Sequence, residues 1–161
     1  MKARRRRTTI TRRKQVSDIF VRIKKKRADV PTPAYKTAGS AGCDVTAAED
    51  VVIKAGCSAL VPTGLFLEVP PGYECQVRPR SGLALSHGVT VLNSPGTIDS
   101  DYRGEIQILL HNTSTLPVRV EAGDRIAQLV FAPVTRGVFQ QVDDLTDTAR
   151  GTGGWGSTGV K

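Results

Sequence analysis

Apolar and polar residues alternate along most of this chain, in runs too short for helices. From Gly72 to Pro79, Tyr73, Cys75 and Val77 fall on one side of an extended backbone and Glu74, Gln76 and Arg78 on the other. This is the period-2 pattern of a half-buried strand. It returns from Glu105 to His111, with Ile106, Ile108 and Leu110 on the inner face. Ile19-Phe20-Val21-Arg22-Ile23 predicts a first strand. Val45 and Val51-Val52-Ile53 predict short strands around an Ala/Glu/Asp turn, and Ser58 to Val69 is extended with breaks at Pro62 and Gly64. LPVRVEAGDRIAQLVFAPV gives two more strands, parted by the turn Ala122-Gly123-Asp124. One helical turn is expected over Ser81 to Ser86. About ten short strands with Gly/Pro turns predict an all-β sandwich or barrel that closes its edges. Long amphipathic helices are absent, which argues against doubly wound α/β folds and their nucleotide sites.

Composition changes this picture at the N-terminal end. The chain has 161 residues and a net charge of +8, a length that suits one domain with a sizeable core. Residues 1–27 hold 13 of the 23 Lys and Arg and a single acid, Asp18, whereas residues 28–161 carry a balance of −4. The basic character therefore belongs to an arm, and the domain is mildly acidic. The arm has almost nothing to bury. It reads as a solvated extension, a nucleic-acid contact through phosphates, or an Arg-rich organelle transit segment, short of Ser and of an apolar face. The chain divides into this arm (1–18), a β-domain (19–145) and a glycine-rich C-terminal lid (146–161). Cys43, Cys57 and Cys75 are odd in number and lack CxxC spacing, so reduced thiols in a cytoplasmic setting fit best. His87 and His111 stand apart, without metal-ligand spacing. No apolar run approaches the roughly 20 residues of a membrane span.

Five segments carry candidate chemistry. In GTIDSDYRGE, Gly96 to Glu105, a turn and an apolar anchor place Asp99 three residues before Tyr102. The segment is expected to form a β-hairpin presenting a carboxylate beside a ring. It is either a polar turn or part of a hydrolytic nucleotide site, where the carboxylate deprotonates a water and the ring packs on a sugar. In PRSGLA, Pro79 to Ala84, Arg80 supplies a fork of donors, Ser81 a hydroxyl, and Gly82 room for close approach at a helix start, which makes either a capped helix or a phosphate cradle. AGCDV places Asp44 after small residues, to cap a turn or to steady water around a metal. In GDRIAQLV, Gln128 interrupts an apolar strand, as a polar edge residue or as a group that holds a water or a phosphate oxygen. RGTGGWGSTG, Arg150 to Gly159, is half glycine. It is no regular element; its backbone N–H groups can wrap phosphates, Arg150 can meet a terminal phosphate, and Trp155 can stack on a base. The segment lacks the Gly-Lys-Ser/Thr of a Walker loop.

In this order, the five segments resemble the motifs of the trimeric dUTPases, and the resemblance covers about residues 19–161. It implies a jelly-roll-like homotrimer whose three sites each draw on all three chains. It also implies hydrolysis of dUTP to dUMP and pyrophosphate, with attack at the α-phosphorus and Mg²⁺ on the triphosphate. By that resemblance Asp99 would be the general base and meet the 3′-hydroxyl, and Tyr102 would lie under the deoxyribose and exclude a 2′-hydroxyl. Asn93, with backbone from Thr97, Ile98 and Asp99, would read the uracil edge, with a weaker contact from Gln107. Arg80, Ser81 and Gly82 would bind phosphates, Gln128 would place water near the α-phosphate, and Asp44 would hold water around the metal. Arg150 would take the γ-phosphate end with Gly156, Ser157 and Thr158 assisting, while the Trp155 ring covers the base. Trp155 stands where the family usually has Phe, and the basic arm lies outside the family core.

Two other readings stay open. A dCTP deaminase of the same fold needs a catalytic Glu, and Glu105 is in the right region. A nucleic-acid-binding module would use the basic arm.

Overall fold

Burial follows the alternation of the sequence. Among the described residues eleven strands and one helix run in the order β1 Arg22–Lys25, β2 Cys43–Thr46, β3 Val51–Ile53, β4 Ser58–Pro62, β5 Leu65–Glu68, β6 Tyr73–Arg78, α1 Ser81–His87, β7 Val89–Val91, β8 Gly96–Ile98, β9 Gln107–Asn112, β10 Val118–Val120 and β11 Arg125–Pro133. In β6 Cys75 and Val77 are buried while Arg78 is exposed. In and just before β9, Ile106, Ile108 and Leu110 are at most 2% exposed. The computed structural model describes residues 18–154; nearly all of the basic arm and the expected tail ligands Trp155, Gly156, Ser157 and Thr158 lie outside the described residues.

The strands form four antiparallel sheets with orders β2-β11-β6-β8, β4-β9-β7, β1-β5 and β10-β3. Their inner faces share one apolar cluster that includes Val45, Ile53, Val61, Leu65, Val89, Ile108, Leu110, Ile126 and Leu129. Burial of that surface is the dominant stabilising term. The sheets are open rather than closed into one barrel. The buried polar side chains of Thr63 and Asn112 are satisfied. Asn112 donates to the carbonyls of Ile53 and Leu116 at 3.0 and 2.8 Å and accepts from Ser114. Satisfied in this way, a buried amide carries no desolvation penalty.

The structure corrects three local expectations. The first strand lies three residues later than Ile19, at Arg22–Lys25. Its register is set by pairing with β5, Arg22 opposite Glu68 and Lys25 opposite Leu65, and by the Arg22–Glu68 ion pair, because β1 is an edge with little burial of its own. The helix runs one residue past the expected Ser86, to His87, and Gly88 closes it by donating to the Ala84 carbonyl. The segment Gly96–Glu105 is not a hairpin. β8 pairs with β6 and β9 pairs with β4 and β7, so residues 99–106 cross between two sheets. The last strand ends at Pro133, as the sequence pattern places it, and residues 133–152 are exposed throughout.

Candidate active site

The four-stranded sheet gathers the polar positions of three motifs on one face. Residues directly opposite across an antiparallel pair share a face. Asp44 stands opposite Gln128, Gln128 opposite Arg78, and Gln76 opposite Thr97. Their strand neighbours Cys43, Leu129, Cys75, Val77 and Ile98 point the other way into the core. Gln128 is thus on a central strand, not an edge.

At one end of this face, Asp44 organises a cluster. Its side chain is 5% exposed. Oδ2 accepts from Arg125 Nη1 at 2.8 Å, and Oδ1 accepts from Gln128 Nε2 at 3.1 Å with Arg80 Nε 3.6 Å away. Arg80 Nη1 donates to the Arg125 carbonyl at 2.7 Å. Burial pushes the Asp44 carboxyl upward, but the bonds from Arg125 and Gln128 and the Arg80 charge outweigh it and hold the group below its ordinary value. Asp44 is therefore not a turn cap. It sits inside β2 with both oxygens engaged. Among the described residues no group of three or more His, Cys, Asp or Glu side chains has metal-binding geometry. The residues here do not fit a protein-held Mg²⁺.

Arg80 leads directly into α1. It occupies the N-cap position in an extended conformation, and no side chain caps the helix. Ser81 and Gly82 are exposed. The first-turn N–H groups that a capping oxygen would consume stay available, as an anion cradle requires.

The second group of predicted residues lines a cleft of about 270 Å³ formed by Leu60, Thr97, Ile98, Asp99, Tyr102, Glu105, Ile106 and Gln107. β8 delivers Asp99 to its mouth. Asp99 is exposed, its backbone carbonyl accepts from the Tyr102 N–H at 3.2 Å, and its carboxylate accepts no hydrogen bond from the described residues. The Tyr102 hydroxyl donates to the Glu105 carbonyl at 3.1 Å. The ring lies so close over Gly104 that a Cβ there would collide with it. Asn93 is exposed on the turn between β7 and β8, its amide against Gly96. Gln107 is exposed at the start of β9.

Within one chain these groups are not brought into a single cleft. The Asp44–Arg80–Gln128 cluster is separate from the Asp99–Tyr102 cleft. Arg150 lies on the exposed tail, its Nε donating to the Gly153 carbonyl at 2.9 Å. Sequence reasoning missed Arg125, which holds Asp44, and Gly104, which makes room for the Tyr102 ring. Both had a signal: Arg125 is a charge at the mouth of an apolar strand, and Gly104 sits between two charged residues two positions past the Tyr.

Comparison with known proteins agrees with this geometry. The dUTPase family model matches residues 28–159. The deoxyuridine 5′-triphosphate nucleotidohydrolase of Methylocella silvestris is 57% identical over 137 residues, covering 83% of this chain and 86% of its own. That of Nautilia profundicola is 53% identical over 139 residues, covering 86% of this chain and 98% of its own. Among solved structures, the Staphylococcus bacteriophage 80alpha dUTPase with dUPNHPP superposes with a TM-score of 0.81 at 25% identity, covering 88% of this chain and 99% of the phage chain. The dUTPase of phage phi11, for which coordination of a structural Mg(II) ion is described, has the same fold with a TM-score of 0.73 at 21% identity over 80% of this chain and 99% of that chain. Sequence, fold and site together show that this chain belongs to the dUTPase family.

Proposed function

We infer that the protein hydrolyses dUTP to dUMP and pyrophosphate, removing dUTP and supplying dUMP to nucleotide metabolism. The observation that carries this reading is the free Asp99 carboxylate held one turn from the Tyr102 ring, in a chain matched to the dUTPase family from residue 28 to 159. Tyr102 packs under the deoxyribose. Asn93 and the backbone of Thr97, Ile98 and Asp99 take the uracil edge, with Gln107 at its margin. Asp99 accepts the proton of a water aimed in line at the α-phosphorus. Charge that builds on the phosphate oxygens is met by Arg80, whose Nη2 is unpaired among the described residues, by Ser81, Gly82 and the open N–H groups of α1, and by Arg150. Gln128, fixed by Asp44, holds water near the α-phosphate. The tail with Trp155, Gly156, Ser157 and Thr158 acts as a lid that excludes bulk water.

A divalent cation fits this scheme as a companion of the substrate's phosphates rather than as a resident of a protein cage. The separation of the two groups within one chain, and an apolar strap with nothing to cover it, favour a homotrimer with shared sites. Val138, Phe139 and Leu145 are 95%, 100% and 88% exposed, which is costly for side chains of that size unless another chain covers them. No helix among the described residues is long and apolar enough to cross a membrane; a cytoplasmic location is proposed from the bacterial relatives. The basic arm lies outside the family match and serves a separate purpose, with nucleic acid as its candidate partner.

Replacing Asp99 by Asn tests the reading. The expected result is a loss of turnover of at least about 10²-fold with nucleotide binding retained; near-normal turnover overturns it. The deaminase reading is not favoured, since the Glu105 carboxylate is committed to Gly64 N–H and Lys26 rather than free in the cleft.

A further inference from the structure

β11 contains an irregularity that its apolar pattern hides. Ile126 and Ala127 are consecutive, yet both are buried, at 1% and 0% exposure. A regular strand would turn one of the two outward. The cause is a shift of register against β2. Arg125 stands opposite Thr46, Ala127 opposite Val45 and Gln128 opposite Asp44. An extra residue of this kind is a β-bulge, which bends the strand and re-aims a side chain. In a regular strand Arg125 and Gln128, three positions apart, would face opposite sides. The bulge lets both reach Asp44, Arg125 at Oδ2 and Gln128 at Oδ1.

Arg80 meets the same short stretch of β11. Its side chain is 23% exposed and is held at two points. Nη1 donates to the Arg125 carbonyl at 2.7 Å, and Nε lies 3.6 Å from Asp44 Oδ1. Residue 125 takes part in both. The first point is its own carbonyl, and the second is a carboxylate whose other oxygen its guanidinium holds. Asp44 Oδ2 accepts no other hydrogen bond from the described residues. A carboxylate this buried requires a partner for each oxygen. Without the Arg125 guanidinium, the nearest remaining cation is Arg80, and Asp44 would draw it closer and take up its charge.

We propose that Arg125, aimed by the bulge in β11, is a positioning residue that engages the Asp44 carboxylate and so keeps the Arg80 guanidinium placed and available for the substrate's phosphates. The inference rests on the reading that Arg80 binds phosphate. Arg80 can bind an anion only with charge and donors that Asp44 leaves free. Arg125 shares that carboxylate at 2.8 Å, a shorter contact than the 3.6 Å of Arg80. The shorter, charge-assisted bond is the stronger of the two. Asp44 therefore belongs chiefly to Arg125, and Arg80 is oriented by it without being consumed.

The test measures inhibition of dUTP hydrolysis by pyrophosphate and by deoxyuridine, with thermal melts, in the wild type and its variants. Pyrophosphate reports the phosphate contacts, and deoxyuridine reports the base and sugar contacts alone. Arg125→Met keeps much of the side chain's length and removes its donors. It is expected to raise the pyrophosphate inhibition constant about three- to tenfold, the worth of one hydrogen bond, and to leave that of deoxyuridine unchanged. Arg125→Lys keeps one charged donor for Oδ2 and is expected to recover most of the loss. Arg125→Gln removes the charge and is expected to shift the pyrophosphate constant in the same direction, which keeps the proposal testable if the Arg125→Met chain does not fold. Arg80→Met should raise the constant more than Arg125→Met does. The double variant should be no weaker than Arg80→Met alone, because both changes act through one guanidinium. A pyrophosphate constant unchanged in the Arg125 variants while Arg80→Met raises it overturns the positioning role alone. Effects that multiply in the double variant, or a deoxyuridine constant that rises in step, overturn it too. A constant unchanged in Arg80→Met overturns that role together with the phosphate contact on which it rests.

Discussion

Asp44 shows how one side chain can be legible in sequence while its surroundings are not. AGCDV announces a carboxylate among small residues, but nothing in the pentapeptide says that Arg80 before α1 and Arg125 and Gln128 of β11 converge on it. Only the β2–β11 register does that. Removing a buried partner leaves two guanidinium groups facing each other, so Asp44→Ala is expected to destabilise the fold by about 3 kcal/mol and to raise KM through loss of Arg80 placement, checked by thermal melts beside steady-state kinetics. The carboxyl is held below its ordinary value. Its contribution to stability is therefore full above the unfolded-state aspartate value, about 3.9, and is lost as pH falls through the lower folded value. Melting temperature should fall along that acid limb, and an Asp44→Asn chain should show a shallower fall. Gly104 is a second case. A methyl there meets the Tyr102 ring, so Gly104→Ala is expected to cost about 1–3 kcal/mol of strain or to displace the ring, seen as lost nucleotide affinity in a titration.

At the scale of elements, strands driven by burial were readable and strands driven by pairing were not. β6, β9 and β11 have strong alternation and lie where the sequence puts them. β1 is an exposed edge whose position depends on β5, so local hydrophobicity misplaced it by three residues. β7 is only Val89–Val91 and gave no alternation long enough to see. The supposed hairpin failed for a topological reason: a turn between two extended segments looks the same in sequence whether the strands pair with each other or with different sheets. The polar face of the four-stranded sheet was likewise invisible, because it is assembled from segments far apart in the chain. The glycine-rich tail is the element whose proposed role is most separable from the fold. Residues 150–154 contribute nothing to the apolar core, so a chain lacking residues 150–161 should melt within a few degrees of the full one yet lose most of its hydrolysis; undiminished turnover would rule out a lid.

For the molecule as a whole, the core accounts for one chain and leaves the site divided. Each chain offers a cluster around Asp44 and Arg80, a cleft at Asp99 and Tyr102, and Arg150, whose hydrogen bond is to Gly153. It also offers a strap in which Phe139 is fully exposed. The proposed sharing of sites among three copies accounts for both facts. Light scattering should give about three times the 17.3 kDa chain mass. Mixing inactive Asp99→Asn chains with chains truncated at residue 150 should recover activity, since an intact cleft and an intact tail then meet at some sites. The five ordered motifs made the activity readable from sequence, and the proposed division of the site among copies, implied there only by the family resemblance, gains support from the arrangement within one chain. The most direct measurement of the central claim is product analysis with dUTP, dCTP, dTTP and UTP in the presence of Mg²⁺. The account predicts dUMP and pyrophosphate from dUTP, with little turnover of the other three. Release of ammonia from dCTP, or of inorganic phosphate from dUTP, would contradict it.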